Sequence, residues 1–411
     1  MKLGRIAAAV IASVALLGSS LNAVSPASAV ENIVVWADKG TIDTIKSRVN
    51  AWNVANAGYT VTMVQKDFST VRDALKVAVP KGQGPDILAG AAHDWVGNLV
   101  MANVLKPITL PSNFKDDFVD GALQAMKYNG QYYGVPGWTE NIAFLRNVKK
   151  QKTRVTSINQ VKNGEIGLNY SATNSDPYHF YPFQMMFNAP VFKMDSGGDW
   201  TNTVGMGGTN GANFAKWLKT KGTAFFGKPA DAKILCNFIS GKIKYWVTGA
   251  WNINAIQDGA AGCKTGLSYG TGFAIDPFPK GPTGITPKQF LGIRGHLLVA
   301  DGPGAAKTNV AGATSLMRWL SSETSQYSIF DAFNKTPANK AALARAKSDP
   351  IVKGFADAAN TVPMPNSPAM DAAWVTWGKA QTRIIQGKES KPDVAWANMV
   401  KALQATINKL K

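Results

Sequence analysis

The sequence predicts an α/β protein, a parallel sheet flanked by helices on both faces, with material for two domains or one large unit. Three observations carry that reading. Short apolar runs alternate with helical segments over short connections, as in parallel strands joined by crossover helices. The chain has 411 residues, 45% hydrophobic and 17% charged, which is ample for an extensive core. Polar and aromatic clusters follow successive strands in both halves, where open α/β sheets meet their ligands.

The first residues stand apart from that fold. Lys2 and Arg5 form a basic start, Ile6 to Leu17 an apolar segment, and Ala27, Ser28 and Ala29 a small-residue cleavage signature. The apolar segment falls short of the ~18 to 20 residues that span a bilayer, so 1–29 reads as a cleaved export signal. No cysteine follows it closely, so the usual lipid attachment point is missing. Export makes Cys236 and Cys263 an even pair in an oxidising compartment. A bridge between them is expected, worth about 3 kcal/mol in the chain-entropy model; two unpaired buried thiols are the alternative.

Asn32 to Trp36 is an apolar first strand, followed by a helix from Thr41 to about Ala55. Tyr59 to Val64 alternates as a second strand, Phe68 to Val79 is helical, and Asp86 to Ala89 is a third strand. Asn129-Gly130 marks a hairpin between aromatic strands, and Gly137 to Arg146 reads as one further strand. Gly167 to Ser171 is strand-like, and Asp176-Pro177 opens a ring-dense helix. Gly197 to Gly211 is read as an exposed loop from its glycines and threonines, and Pro279 to Pro282 as a linker. Lys233 to Ser240 is helix and Lys244 to Gly249 strand. Phe273 to Phe278 and Phe290 to Ile293 lead to a crossing, and His296 to Ala300 is strand. The remainder is mainly helical, including Ala311 to Leu320, Ala338 to Ala346 and Val394 to Lys409. Before the late helix, Pro365 and Pro368 hold Met364 to Ser367 extended, and Asn366 or Ser367 can cap the helix that Pro368 starts. Trp374 and Trp377, three apart, share a face of that helix.

The formal charge of +18, or +16 without Lys2 and Arg5, points to an anionic surface such as lipid headgroups or wall polymers. Basic residues are dispersed rather than interleaved with aromatics, so nucleic acid is not the expected partner. His93, His179 and His296 show no paired ligand spacing, so no metal is expected, and no cofactor. There is no Gly-x-Ser-x-Gly elbow and no P-loop.

Several features point to recognition of carbohydrate. Ring faces pack on sugar C–H groups while carboxylates and amides take hydroxyls. After strands the chain sets Asp38 with Lys39, Asp94 with Trp95, Trp138 with Glu140, Asp176 with Tyr178, and Trp251 with Asn252. A secreted glycoside hydrolase using Glu140 with Asp94 or Asp176 is the enzyme alternative.

These blocks resemble, in order, those of extracellular solute-binding proteins of bacterial ABC sugar importers, the maltose/maltodextrin-binding group. Ile33 to Gly40 is similar to the family's first strand with its Asp-Lys sugar contact. Gly84 to Asp94 resembles the third-strand block, and Tyr128 to Glu140 the first crossing with its hydroxyl-binding glutamate. Asp176-Pro177-Tyr178 resembles an acid-Pro-Tyr motif, Gly249 to Trp251 a Gly-x-Trp turn, and Met364 to Trp374 a late loop with a stacking tryptophan. The chain departs from the pattern at Ala91 and Trp95, where relatives carry tryptophan and arginine, and at Asp176 in place of glutamate.

The resemblance implies a two-lobed periplasmic-binding-protein fold of type II with the ligand in a hinged cleft. One lobe is expected to take 30–138 and 294–338, the other 139–293 and 339–411. Asp38, Lys39, Asp94, Glu140 and Asp176 are expected to bind hydroxyls and Tyr178, Trp251 and Trp374 to stack on rings. Trp95 or Trp138 is expected to restore the aromatic surface missing at Ala91. A monomeric, exported protein in the periplasm or at the outer cell surface, handing its oligosaccharide to ABC permease subunits, is the partnership implied.

Overall fold

In a computed structural model of the chain, residues 30–196, 199–263, 265–302 and 309–410 are described, so the export signal read over 1–29 lies outside them. Strand β1 (Glu31–Ala37) is followed by α1 (Lys39–Ala55) and by β2 (Tyr59–Gln65), which pairs with β1 in parallel. Helix α2 (Val71–Ala78) leads to β3 (Ile87–Ala92), parallel to β1 on its other side. This is the parallel unit with helical crossovers that the alternation of apolar runs predicts. The Asn129-Gly130 hairpin also forms, with φ of 45° and 81° at the two turn residues, the left-handed region that Asn-Gly tolerates.

Gly137 to Arg146 is not one strand. The chain forms β4 (Gly134–Glu140) and β5 (Ile142–Asn147), and the two enter different sheets. The break falls at Asn141, half-buried between two apolar runs that fill separate cores, with its amide donating to Phe355 O at 3.3 Å.

The second half supplies β6 (Ile166–Gly167), α3 (Pro177–Met185), α4 (Gly208–Phe226), α5 (Ile234–Ser240), β7 (Tyr245–Gly249) and β8 (Phe273–Asp276). The long strand β9 (Gln289–Leu298) then re-enters the first sheet. It is followed by α6 (Val310–Leu320), α7 (Glu323–Phe333), β10 (Thr336–Pro337), α8 (Lys340–Ala346), α9 (Pro350–Asp357), β11 (Thr361–Pro363), α10 (Pro368–Ile385) and α11 (Pro392–Ile407).

The larger sheet has seven strands, in the order β10-β4-β9-β3-β1-β2, with β11 beside β9. It is not all parallel, because β9 runs antiparallel to both β3 and β4. That strand arrives from the other lobe and so crosses the sheet in the opposite direction, a long-range pairing that local alternation cannot reveal. The smaller sheet is β8-β5-β7-β6, with β5 antiparallel to both neighbours. Separate buried clusters pack on the two sheets, one group around Ile33, Leu88 and Leu297, the other around Phe144, Val247 and Trp377. Chain passes between them at Asn141, along β9, and between α8, packed on α7, and α9, packed on β8.

Two loop readings are corrected. Within Gly197 to Gly211, Trp200–Val204 forms a strand against Phe192–Met194, and α4 already begins at Gly208. Trp200 Nε1 donates to Pro363 O at 2.8 Å and Val204 N to Gln404 Oε1 at 2.7 Å, tertiary anchors that override a turn-rich composition. Pro279 to Pro282 is no free linker: Lys280 exchanges backbone hydrogen bonds with Thr156 and Ile158, and Gly281 packs so tightly on Met186 that a Cβ would lie 2.6 Å from it. Cys236 and Cys263 are bridged, with Cα atoms 4.8 Å apart, tying α5 to the chain beyond β7.

His296 of β9 is wholly buried, with no hydrogen-bond partner for either ring nitrogen, edge-on to Trp138 at 6.2 Å. Burial holds its pKa down at about 4, against an ordinary 6.5. Below pH 6.5 the unfolded chain therefore takes up a proton that the folded chain refuses, and stability falls until about pH 4. The full difference is about 3 kcal/mol. His296→Leu is expected to lose this part of the acid destabilisation. Urea unfolding of both proteins across pH 4 to 7 measures it, and equal slopes would remove the assignment.

Candidate ligand cleft

A cavity of about 660 Å³ opens between the two lobes, lined by Asp38, Asp94, Trp95, Trp138, Glu140, Asp176, Tyr178, Trp251 and Trp374. Of the residues paired after strands in the sequence, Lys39 and Asn252 stay outside it; Asn252 donates its amide to Thr248 Oγ1 at 2.7 Å. Lys39 is the first residue of α1, and its ammonium turns away to Asp43 at 2.6 Å. A larger groove of about 1150 Å³ lies on the outer face of the first lobe beside Trp52 and Trp319, but none of these residues reaches it.

Two of the carboxylates are placed by helix starts. Asp38 caps α1, accepting from Thr41 N at 3.1 Å and Thr41 Oγ1 at 2.7 Å. Gly90 makes room for that threonine: it has φ +66°, and a Cβ there would come within 2.4 Å of Thr41 Oγ1. Asp176 caps α3 through Tyr178 N at 3.1 Å and holds His179 Nδ1 at 2.6 Å. Burial pushes the Asp176 carboxyl up. The charge and hydrogen bond of His179, with two backbone amides, outweigh that and hold it below the ordinary range.

Asp94 lies in the one-turn 3₁₀ segment His93–Trp95 that follows β3, almost fully buried. Its Oδ2 accepts from Trp374 Nε1 at 2.8 Å, a bond between the two lobes. Burial raises the Asp94 carboxyl, and the His93 ring and the indole N–H counter it. His93 is itself pushed down by burial and bridges two segments. Nδ1 accepts from Ile293 N at 3.0 Å, and Nε2 donates to Met364 O at 2.9 Å. Close by, Arg72 of α2 pairs with Asp371 of α10, a second tie to the same helix end.

The aromatic surface is fixed by packing as tight as the polar side. Trp374 lies parallel to the buried Trp377, centroids 5.8 Å apart, and Trp377 spends its N–H on Gln184 at 2.9 Å. Trp377 is therefore core, as its place one turn on suggests. Tyr178 stacks on Phe290, and burial followed by the charge of Glu140 lifts its phenol well above the usual range. Trp251 stands edge-on to His179 at 5.8 Å, in a slot made by Gly249, where a Cβ would lie 2.2 Å from the indole. Gly292 likewise leaves room for Glu140 and Tyr178, at 3.1 and 3.3 Å from its absent Cβ. Pro368 starts α10 as expected, but no side chain caps it. Ser367 takes the cap position without a side-chain bond, and Asn366 instead donates to Ala125 O and Lys127 O.

Sequence reading missed three cations of the cleft: Arg72, Arg294 and Lys335. Arg294 lies between Asp38 and Glu140, at 3.6 and 3.8 Å, with its guanidinium over Phe68 at 4.2 Å. Its signal was available, a lone arginine inside the apolar run Gln289–Leu298. Lys335 faces Trp138, its pKa lowered by burial; its local sequence offers no comparable signal. Among the described residues, no group of three histidine, cysteine or acidic side chains is placed to hold a metal ion.

Fold and cleft together define a two-lobed solute-binding protein. Residues 47–354 match the family model of the bacterial extracellular solute-binding proteins, and the chain belongs to that family. It is 25% identical over 325 residues to the maltotriose-binding protein of Pyrococcus abyssi, covering 76% of this chain and 68% of that one. It is 24% identical over 381 residues to the galactooligosaccharide-binding protein of Bacillus subtilis, covering 87% and 85%. The Thermus thermophilus maltotriose binding protein, solved with maltotriose bound, shares the fold at a TM-score of 0.76 and 24% identity, covering 91% of this chain and all of that one.

The Gly249 slot is directly testable. Gly249→Ala is expected to push the Trp251 indole aside and to cost about 1–3 kcal/mol of stability, read by urea unfolding with near-ultraviolet circular dichroism. An unchanged spectrum and midpoint would show that the ring does not depend on the glycine.

Proposed function

We propose that this protein captures an oligosaccharide of the maltose/maltodextrin-like α-glucoside class outside the cytoplasm and delivers it to the permease of an ABC importer. The observation that carries the reading is the composition of the cleft. Carboxylates and aromatic rings line one cavity and come from both lobes, so apolar ring faces and hydroxyl acceptors meet a ligand together. The name of the maltotriose-binding relative supports the α-glucoside class, and that of the galactooligosaccharide-binding relative supports an oligosaccharide ligand.

Asp38, Asp94, Glu140 and Asp176 take hydroxyls in this reading. Tyr178, Trp251 and Trp374 present ring faces, with Trp95 and Trp138 widening the aromatic surface. Lys39 contributes only by leaving Asp43 and turning inward. The lobes hinge at Asn141, along β9 and beyond α8, and ligand favours the form in which both walls touch it. The protein acts as an exported monomer, and among the described residues no helix is long and apolar enough to cross a membrane.

The hydrolase alternative asks for a carboxyl poised to give up a proton beside a second carboxylate. Asp176 is held ionised by His179, and Asp94 is buried with an oxygen already bonded to Trp374. Glu140→Gln separates the classes: no release of reducing ends from malto-oligosaccharides is expected before or after the change, and turnover lost on substitution would establish an enzyme.

Trp374→Ala is expected to weaken oligosaccharide binding at least tenfold, since a ring face with its burial exceeds ~1.4 kcal/mol. Calorimetric titration measures it, and unchanged affinity would take Trp374 out of the site.

A further inference from the structure

The cleft lies at one end of the smaller sheet, and the opposite end carries a concentration of positive charge that ligand binding does not use. Strand direction separates the two ends. β7 finishes at Gly249 beside Trp251, and β5 begins at Ile142 beside Glu140, so these termini face the cleft. The other termini lie together: Asn147 ends β5, Lys244 precedes β7, and Glu165 precedes β6. Asn147 N bonds Lys244 O at 2.8 Å, and Lys244 and Tyr245 N both bond Glu165 O, which closes the three strand ends into one edge.

The loops leaving that edge are basic. Lys149, Lys150, Lys152 and Arg154 follow β5 and are all exposed. Lys162 precedes β6, and Lys242 precedes β7, also exposed. Lys150 packs on Gly241, whose Cβ would come within 2.4 Å of the lysine Cγ, so these loops touch. Arg146, buried in the sheet, pins the first loop by donating to Gln151 O and Lys152 O at 2.8 and 2.7 Å. The carboxylate in these loops is Glu165, and it is already paired with Lys244 at 2.6 Å. On the β8 side the edge is bounded by α9, where Lys353 and Asp357 neutralise each other. By contrast, on the side of α4, α10 and α11 acids stand among the basic residues and pair with some of them, Arg383 with Glu389 and Lys216 with Asp393.

We propose that this end of the second lobe is a docking surface for an anionic lipid bilayer. Six exposed cations on several loop tips, with no free carboxylate among them, complement a sheet of headgroup charge better than a single anion. A bilayer is also the place at which an importer takes up its solute. Docking by this end leaves the cleft, at the other end of the strands, open to solution.

The test is co-sedimentation of the mature protein with vesicles of phosphatidylglycerol and phosphatidylcholine in equal parts, against vesicles of phosphatidylcholine alone. Lys149, Lys150, Lys152 and Arg154 are replaced together by glutamine. A control replaces Lys379, Lys388, Lys391 and Lys401 by glutamine, an equal loss of charge from the α10 and α11 side. The expected result is binding to the anionic vesicles only, released by salt of about 0.5 M. The loop variant should bind at least tenfold more weakly and the control nearly as the parent does. Unchanged urea-unfolding midpoints certify that both variants fold. Equal weakening by both variants would assign the effect to net charge and overturn the surface. So would binding to neutral vesicles, no vesicle binding at all, or binding to soluble polyphosphate without binding to vesicles.

Discussion

The cleft depends on one buried, neutral histidine. His93 holds the amide of Ile293 on one side and the carbonyl of Met364 on the other, so the end of β3, the long strand β9 and the proline loop share one anchor. Its neighbour Asp94 is thereby aimed at Trp374, which that same loop delivers. A protonated ring could not accept from Ile293, and burial opposes protonation, so the anchor stays in the form that makes both bonds. Breaking it leaves a backbone amide or carbonyl unpaired in a dry interior, a cost of about 1–3 kcal/mol each.

Around that anchor the polar groups are arranged before any ligand arrives. Asp38 and Asp176 are helix caps, so their positions come with α1 and α3 rather than with the ligand. Arg294 sits between Asp38 and Glu140 and tempers the repulsion of two carboxylates on one floor. The rings are equally constrained, Trp251 by the Gly249 slot and Trp374 by the Trp377 face. Groups held this way lose little freedom on binding, which leaves more of the contact energy as affinity.

Much of this was legible in the sequence where local chemistry dictates position. The first βαβαβ unit, the Asn-Gly turn, the Asp176 cap and the Pro368 helix start follow from residues within a few positions of one another. Aromatic residues paired with acids after strand ends located the carboxylates and tryptophans of the cavity lining. Local chemistry cannot supply partnership across the chain. The antiparallel course of β9, the break at Asn141 and the strand at Trp200–Val204 are all decided by distant neighbours. Lys39 was expected in the cleft beside Asp38, but the start of a helix turns adjacent side chains about 100° apart, and Asp43 one turn on offers a closer partner. Arg294 stands out as the lone arginine of an apolar run, but its place between Asp38 and Glu140 is set by pairing across the chain.

The two lobes meet through Trp374 and Asp94, and through Arg72 and Asp371, so the walls of the cavity are already in contact at one edge. In the function proposed, a ligand that touches both walls draws them together about the three crossings, and its recognition and the closure are one event. Small-angle X-ray scattering of the mature protein, with and without a saturating malto-oligosaccharide, tests that claim most directly. A smaller radius of gyration is expected on saturation. Saturable binding that leaves the scattering unchanged would contradict the coupling of recognition to closure.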